Sequence, residues 1–277
     1  MTKKNVLLKP VLKWVGGKRQ LLKEITPLMP ASCSLYVEPF IGGGAVLLDR
    51  QPTCARINDS NEELINVYRV IRDTPDELLD LLREHEKLNT SDYYYEIRGL
   101  DRLPSFKDLT CTQRAARIIY LNKTCFNGLF RVNSQGQVNV PYGRYQHPNI
   151  VNELGIRALH NYLQNDIDIL CGDYSEVLKD LPKRAFVYLD PPYMPVSATS
   201  AFTGYTQGGF TYDDQVRLRD ECLKLREQNI AFIQSNSDCP EIRELYADFK
   251  IKTVTAKRAI NSQANKRGAI NEVLIRG

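Results

Sequence analysis

The amino-acid sequence predicts an α/β fold built on a mostly parallel sheet, and three observations lead to this prediction. Apolar runs bounded by turn residues, which are typical of buried strands, occur at residues 35–37, 56–58, 167–171, 185–189 and 230–234. Helical patterns lie between several of these runs, as in a parallel sheet covered on both faces. After them, a helix-like stretch at 240–247 leads to two alternating runs, 250–257 and 269–276, which we expect to pair antiparallel at the sheet edge.

The stretch LKWVGGKRQLL, residues 12–22, precedes the first predicted strand and places Trp14 and Lys18 around two glycines. Its GGK is similar to part of a phosphate loop, but a Walker sequence needs glycine at position 12 and serine or threonine at position 19, where this chain has Leu12 and Arg19. ATP binding is therefore excluded. A flat apolar ring and a cation around flexible glycines suit a ligand with an aromatic base and a carboxylate. The alternative is that Trp14 only anchors this segment.

The first predicted strand runs into a triple-glycine turn in YVEPFIGGGAVLL, residues 36–48. Glycines let the backbone approach a ligand closely, and doubly wound sheets bind nucleotides at the carboxyl end of the first strand. The second strand ends at Asp59, about 20 residues later, where such folds place an acid that accepts hydrogen bonds from ribose hydroxyls. Val46 and Leu47 stand where GxGxxG needs its last glycine, which disfavours a dehydrogenase. A ligand-free turn and a helix cap at Asp59 are the alternatives.

Residues 61–150 depart from the α/β alternation. They show helical periodicity, for example at Leu64, Ile65 and Tyr68, but few convincing parallel strands. Near their end, NSQG lies between alternating segments, which favours a hairpin turn. We therefore predict an inserted helical domain that carries a β-hairpin at 61–150, and a second domain formed by residues 1–60 and 151–277.

The fourth predicted strand ends in YLDPPYMP, residues 188–195. Its two prolines stop the strand, and Asp190 either caps the segment that follows or presents a carboxylate at the edge of the sheet. The local pattern alone leaves both interpretations open.

Composition limits the class of protein. The 277 residues, 43% of them hydrophobic, are enough for a folded core in one large or two smaller domains. Lys and Arg exceed Asp and Glu by 37 to 33, which permits a nucleic-acid partner without requiring one. No apolar stretch reaches the ~18 residues of a membrane span, and MTKKNVLLKP has no signal-peptide core, so we expect a cytoplasmic protein. Seven cysteines without a CxxC pair and three histidines without ligand spacing predict neither disulfides nor a metal site.

Taken together, the motifs resemble those of the Dam-type DNA adenine-N6 methyltransferases. LKWVGGK, EPFIGGGA, IND, FNGLFRVN, NVPYGRY, GDY and DPPY follow one another in that family's order and cover nearly the whole chain. DPPY alone is shared by many methyltransferases, whereas FNGL and NVPYGRY make the resemblance specific. It is greatest to GATC modification methylases of the DpnM type. The resemblance implies a Rossmann-like S-adenosylmethionine-dependent methyltransferase sheet with an inserted target-recognition domain.

The resemblance also implies site residues, which we carry over position by position. S-adenosylmethionine would be bound by Trp14, Gly17, Lys18, Phe40, Gly42, Asp59, Asp173, Tyr174 and Asp190. Within this set Asp59 would lie at the ribose, Asp173 at the adenine edge, and Lys18 near the methionine end. The catalytic motif would be Asp190, Pro191, Pro192 and Tyr193. The target-recognition positions would be Phe126, Asn127, Leu129, Arg131, Pro141 and Tyr145, with Lys13 as a further base-contacting residue.

The chemistry gives the rigid DPPY segment a use. The amino nitrogen of adenine is a poor nucleophile because its lone pair is delocalised into the ring. If the Asp190 carboxylate and the Pro191 carbonyl accept its two hydrogens, the lone pair can face a sulfonium methyl for direct in-line transfer. Tyr193 would stack on the base, which must first flip out of duplex DNA. The expected partners are double-stranded DNA and a restriction endonuclease acting on the same site, in a bacterial or phage-encoded system.

Three other classes of protein are alternatives. A cytosine-C5 methyltransferase needs a nucleophilic cysteine after a proline, but Cys239 precedes its proline, so this class is excluded. An RNA or protein methyltransferase and a catalytically silent DNA-binding protein stay open as alternatives, and the inserted domain favours DNA as the substrate.

The basic segment 256–268 is either a phosphate-contacting loop or a solvated turn. Its basic residues are Lys257, Arg258, Lys266 and Arg267.

Overall fold

The computed structural model describes residues 4–195, 209–257 and 269–277, and within them the apolar runs form one seven-stranded sheet. Its strands are β1 (Tyr36–Glu38), β2 (Cys54–Asp59), β3 (Asp166–Cys171), β4 (Phe186–Leu189), β5 (Ala231–Ser237), β6 (Lys250–Lys257) and β7 (Ala269–Arg276). They lie in the order β3-β2-β1-β4-β5-β7-β6. The first five are parallel, while β7 runs antiparallel to both β5 and β6. The predicted α/β class is therefore confirmed.

Helices cover the sheet and connect its strands. Within the described residues they are α1 (Leu22–Ile25), α2 (Ala45–Arg50), α3 (Glu62–Asp73), α4 (Pro75–Leu88), α5 (Ser91–Gly99), α6 (Cys111–Thr124), α7 (Glu153–Leu163), α8 (Tyr212–Glu227) and α9 (Pro240–Leu245). Side chains cap several of them. Asn61 caps α3, Thr110 forms a capping box with Gln113 at the start of α6, and Thr211 does so with Asp214 before α8. The described helices include none that is both long and apolar enough to cross a membrane.

Burial explains the strand positions. All residues of β1 and β4 are buried, as central strands of a doubly covered sheet should be, whereas the edge strand β3 alternates between buried and exposed residues. The two last runs pair antiparallel as predicted, with Val254 opposite Glu272. The sequence did not indicate that β7 lies inside the sheet between β5 and β6.

Residues 61–150 lie between β2 and β3 in the chain and contain α3 to α6. Helix α3 contacts β2, β3, α6 and α7, and one hydrophobic cluster runs from Ile57 of β2 through Leu64 of α3 to Ile118 of α6. The division into an inserted domain at 61–150 and a second domain at 1–60 and 151–277 stays a prediction, because these contacts do not test where a boundary lies.

The NSQG turn adopts the chain reversal expected of a hairpin. The Asn133 amide donates to the Gln137 carbonyl (2.9 Å), and Val132 pairs with Val138 in an antiparallel bridge. The backbone pairing continues outward, since the Asn139 amide donates to the Arg131 carbonyl (3.1 Å) and Cys125 pairs with Tyr142 in a second antiparallel bridge. Side chains of neighbouring segments also contribute: Asp101 accepts from the Val138 amide (2.8 Å). Arg258, Lys266 and Arg267 of the predicted phosphate-contacting segment lie outside the described residues.

Candidate active site

The predicted site residues meet at the carboxyl ends of β1 to β4. Strand β1 has β2 on one side and β4 on the other, so the strand order reverses beside β1. In open α/β sheets the loops leave such a switch point in opposite directions and open a crevice in which ligands bind. The sheet topology therefore puts the glycine turn, Asp59, Asp173 and Asp190 around one crevice.

The glycine turn after β1 is held by Asp59. Gly42 and Gly44 have positive φ angles of 48° and 71°, which side chains with a Cβ rarely adopt. The Asp59 carboxylate accepts from the amide of Gly42 (3.1 Å) and from that of Asn61 (3.0 Å). Burial raises the pKa of Asp59, and these amides oppose the shift. A Cβ at Gly42 would lie 2.9 Å from Cδ1 of Trp14, so this ring packs directly on the turn.

Asn58, which the sequence reasoning missed, joins three strand ends. Its buried amide donates to the carbonyls of Pro39 after β1 and Gly172 after β3, each at 3.0 Å. The Ile41 amide in turn donates to the Asn58 carbonyl (2.8 Å). The IND motif pointed to this position, but only its last residue was assigned a role.

Aromatic rings line the side of the crevice near β3. The rings of Phe40 and Tyr174 lie 5.0 Å apart, and Phe210 lies 6.1 and 6.2 Å from them. Phe40 and Tyr174 were predicted to lie together, and the structure brings them together. Phe210 was missed because no motif marks the segment before α8.

Asp173 is bound to a partner that the sequence did not indicate. Both of its carboxylate oxygens accept from the guanidinium of Arg217 on α8, one of them at 2.9 Å. This guanidinium also lies 4.8 Å from the centre of the Tyr174 ring. Arg217 lowers the pKa of Asp173 to about 2. The carboxylate is about half exposed, so a ligand at this edge would meet an ion pair rather than a free acid.

Lys18 lies against the DPPY segment. The Gly17 amide donates to the Trp14 carbonyl (3.3 Å), and this turn directs the Lys18 side chain inward, where it is 6% exposed. Its Nζ donates to the Gly16 carbonyl (2.5 Å) and lies 2.8 Å from Oδ1 of Asp190, in an ion pair whose angles are outside hydrogen-bond geometry. It also lies 4.6 Å from the centre of the Tyr193 ring. The placement of Lys18 near a methionine group stays a prediction.

Partners from three elements hold the segment after β4. The Pro192 carbonyl accepts from Gln215 of α8 (2.9 Å), and Ser237 of β5 donates to the Met194 carbonyl (2.7 Å). Asn236 accepts from the Met194 amide (3.1 Å). The Tyr193 hydroxyl donates to Glu272 of β7 (2.7 Å). These contacts, which the sequence did not reveal, add to the rigidity expected from the two prolines, and Pro191 itself is buried.

Carboxyl groups outnumber the ammonium around Lys18. Glu38 ends β1, where it accepts from the Tyr36 hydroxyl (2.6 Å) and the Leu47 amide (3.1 Å). Burial raises the pKa of Glu38 to about 8, and the nearby Asp190 adds to the shift. Burial likewise raises the pKa of Asp190 to about 6, with Lys18 opposing and Glu272 adding. Glu38 belongs to the EPF motif, but no role was predicted for it.

The predicted recognition residues begin beside the Lys18 segment. The Lys13 amide donates to Asn122 (2.8 Å), whose side-chain amide donates back to the Lys13 carbonyl (2.9 Å) and to that of Gly128 (3.2 Å). Asn127, with φ 61°, and Gly128, with φ 64°, form a left-handed turn there. Lys13 and Asn127 are therefore neighbours. The Trp14 ring stacks on Phe130 at 4.8 Å between ring centres.

The remaining recognition positions form a partly exposed surface next to this turn. The Phe126 amide donates to the Pro141 carbonyl (2.8 Å), and the residues Phe126 and Tyr145 are 54% and 42% exposed. Leu129 is half-buried against the core. The exposed Arg131 donates through Nε to Oδ1 of Asn139 (2.8 Å) and through Nη2 to its carbonyl (3.3 Å). Across the described ranges, no cluster of His, Cys, Asp or Glu has an arrangement that could hold a metal ion.

Known proteins match this chain along nearly its whole length. The family model described as D12 class N6 adenine-specific DNA methyltransferase matches residues 14–260. The Type II methyltransferase M1.LlaDCHI of Lactococcus lactis subsp. cremoris is 45% identical over 99% of this chain and 97% of its own length. The Type II methyltransferase M.MjaIII of Methanocaldococcus jannaschii is 40% identical over 97% and 98%. The DNA adenine methylase of Escherichia coli is 34% identical over 95% and 93%.

Proposed function

The chain belongs to the D12 class of N6 adenine-specific DNA methyltransferases, and on this premise we propose that it transfers a methyl group from S-adenosylmethionine to N6 of adenine in duplex GATC. It is accordingly an adenine-specific DNA methyltransferase rather than an RNA or protein methyltransferase. The observation that carries the finer proposal is the contact of Lys18 with Asp190 and Tyr193, at the switch point and beside the glycine turn.

The residues of the crevice fit S-adenosylmethionine. When bound, it supplies a methyl group on a positively charged sulfur for in-line displacement by the amine. Asp190 and Glu272 carry two negative charges against the single positive charge of Lys18, which suits a cationic donor, and Glu38 adds a third only above its pKa of about 8. The predicted set Trp14, Gly17, Lys18, Phe40, Gly42, Asp59, Asp173, Tyr174 and Asp190 would hold it.

The DPPY segment would orient the target amine. Lys18 keeps Asp190 ionised, so its carboxylate can accept one amine hydrogen while the Pro191 carbonyl accepts the other. Contacts from Gln215 and Ser237 fix the backbone of the segment before the base arrives. Flipping the base out of the duplex costs a few kcal/mol, and stacking on Tyr193 offsets part of this cost.

Binding of the cationic cofactor should depend on pH. The carboxyls of Asp190, with a pKa of about 6, and Glu38, with a pKa of about 8, lose protons as the pH rises and then attract the sulfonium. We expect the affinity for S-adenosylmethionine, relative to the uncharged sulfur of S-adenosylhomocysteine, to rise up to about tenfold between about pH 5 and about pH 9. Titration calorimetry with both ligands measures this ratio. Glu38→Gln should remove the upper part of the rise, and a constant ratio would contradict the charge argument.

We propose that residues 61–150, together with Lys13, recognise the DNA. Phe126 and Tyr145 expose aromatic surface next to the left-handed turn, as expected of residues that contact bases. Asn139 engages one edge of the Arg131 guanidinium and leaves other N–H groups free to bind O6 and N7 of guanine. Leu129 would pack on a thymine methyl, and Lys13 would read another guanine.

Arg131→Ala should relax the sequence preference at one guanine while adenine is still methylated. A bidentate contact contributes ~1–3 kcal/mol of discrimination, so the preference should fall by about 5-fold to about 150-fold. Methylation rates on GATC duplexes and on all their single-base variants test this. Arg131→Lys is the matched control, because it keeps the charge but loses the planar fork, and it should relax the preference with less loss of affinity. Loss of activity with an unchanged preference would refute the assignment.

Methylome sequencing of a host that lacks its own DNA methylation, after expression of the protein, tests the proposed function directly. The expected result is N6-methyladenine confined to GATC. Another context would refute the GATC assignment, and DNA binding without modification would indicate a silent binding protein. Because two relatives above are type II methyltransferases, we propose that the protein protects DNA in a bacterial or phage-infected cytoplasm from an endonuclease acting on the same site.

A further inference from the structure

Strand β7 brings a carboxylate to the catalytic segment from a distant part of the chain. Because β7 is antiparallel to β5, its first residues lie at the edge where the parallel strands end. Glu272 pairs there with Ser237 of β5 and Val254 of β6, and only 9% of its surface is exposed. None of the motifs in the sequence includes it.

Glu272 contacts the DPPY segment through the tyrosine hydroxyl. The Tyr193 hydroxyl donates to Oε2 of Glu272 at 2.7 Å. Lys18 also contacts the ring, with its Nζ 4.6 Å from the ring centre. A hydrogen bond to an ionised acceptor is about twice as strong as a neutral one, and burial shields it from water. The hydroxyl end of the ring is therefore anchored, so the ring is restrained from rotating away from its position.

The charge of Glu272 also acts on Asp190. The titratable groups near Asp190 are Lys18 from the segment before α1, Glu38 from β1, Tyr188 from β4, Tyr193 from the DPPY segment, and Glu272 from β7. Lys18 favours the ionised form of Asp190, whereas Glu272 disfavours it. An acid that only filled space would be better replaced by a neutral side chain, because burying a surplus charge is unfavourable.

We propose that Glu272 is a positioning residue that holds the ring of Tyr193 where the target base stacks. The proposal rests on the proposed function of the DPPY segment, and it adds a residue from the last strand to that site. Acting through Tyr193, Glu272 touches neither the base nor the cofactor.

The test compares Glu272→Gln with Glu227→Gln, which removes the same charge from an exposed position at the end of α8. In Glu272→Gln we expect the single-turnover rate above pH 8 to fall about tenfold, because a neutral acceptor replaces a charged one. The acidic limb of the pH–rate profile should move to lower pH, because less negative charge then opposes the ionisation of Asp190. Glu227→Gln should change neither.

A double substitution separates the effect of Glu272 on the Tyr193 ring from its effect on the ionisation of Asp190. In a Tyr193→Phe background the hydroxyl is absent, so adding Glu272→Gln should lower the rate less than about twofold further. The acidic limb should still move, because the charge acts on Asp190 independently of the ring. Full additivity of the two rate losses would overturn the proposal.

A readout without methyl transfer completes the design. In protein labelled with 3-fluorotyrosine, the Tyr193 fluorine signal is identified by its loss in Tyr193→Phe. It should shift and broaden in Glu272→Gln but not in Glu227→Gln. The proposal would be overturned if Glu272→Gln matched the Glu227→Gln control in its rate, in the acidic limb of its pH–rate profile and in its Tyr193 signal. If the wild-type protein failed to methylate DNA, the proposed function would fall, while the fluorine signal would still decide whether Glu272 holds the ring.

Discussion

Asp190→Ala is expected to reduce methyl transfer by at least about 1000-fold, the upper range for removal of one group that stabilises a transition state. The carboxylate is the acceptor that would hold the amine with its lone pair toward the methyl group, and alanine offers no replacement. Lys18 would then lack its partner, so the site would also gain positive charge. Single-turnover transfer to a GATC duplex measures the effect.

Cofactor binding separates this role from a structural one. Binding of S-adenosylhomocysteine, which lacks the sulfonium charge, should change less than about threefold in Asp190→Ala. Asp59→Ala provides the opposite pattern, since Asp59 supports the glycine turn and is proposed to bind the ribose, so chiefly the affinity should fall. More than about a tenth of wild-type turnover in Asp190→Ala, a barrier change of ~1.4 kcal/mol or less, would show that the assigned role is wrong.

Lys18→Met is expected to lower transfer about 100-fold at pH 7 and to restore part of it at pH 9. Without the ammonium, burial raises the pKa of Asp190 further above about 6, so the carboxyl stays protonated at neutral pH. A protonated acid is a weaker acceptor for the amine. Since the folded-state pKa is raised, the active ionised form is lost as the pH falls and regained as it rises.

The pH–rate profile of Lys18→Met tests the direction in which Lys18 shifts the pKa of Asp190. Its acidic limb should lie at higher pH than that of the wild type, and Lys18→Arg, which keeps the charge, should lie between the two. Because Glu272 acts in the opposite direction on Asp190, combining Lys18→Met with Glu272→Gln should return the limb toward its wild-type position. A loss of activity that does not depend on pH would mean that Lys18 acts in another way.

Local sequence patterns predicted the strands well because burial along a strand depends on neighbouring residues. The runs at 35–37 and 185–189 became β1 and β4 within one residue. The order of strands could not be obtained in the same way, because it depends on contacts between distant segments. The insertion of β7 between β5 and β6 is such a case, and the bond from the Val138 amide to Asp101 is another.

The same distinction between local patterns and contacts from distant segments applies to the candidate site. Residues inside motifs, such as Lys18 and Asp190, were found, and the structure places them in contact. Their supporting partners were missed. Gln215, Arg217 and Glu272 come from α8 and β7, where single polar residues in ordinary amphipathic patterns carry no local mark of their role. The roles predicted for the motif residues themselves stay predictions until the substitutions above are measured.

Asn122 and the stacked rings of Trp14 and Phe130 tie the segment that carries Lys18 to the turn that carries Asn127. A ligand that displaces one of these segments alone would break its bonds to the Asn122 amide, which also holds the other segment, so the two sites are coupled. Thermodynamic linkage then requires reciprocity: if cofactor binding changes the affinity for DNA by some factor, DNA must change the affinity for cofactor by the same factor. The order in which the two substrates bind would consequently affect the kinetics but not the stability of the ternary complex.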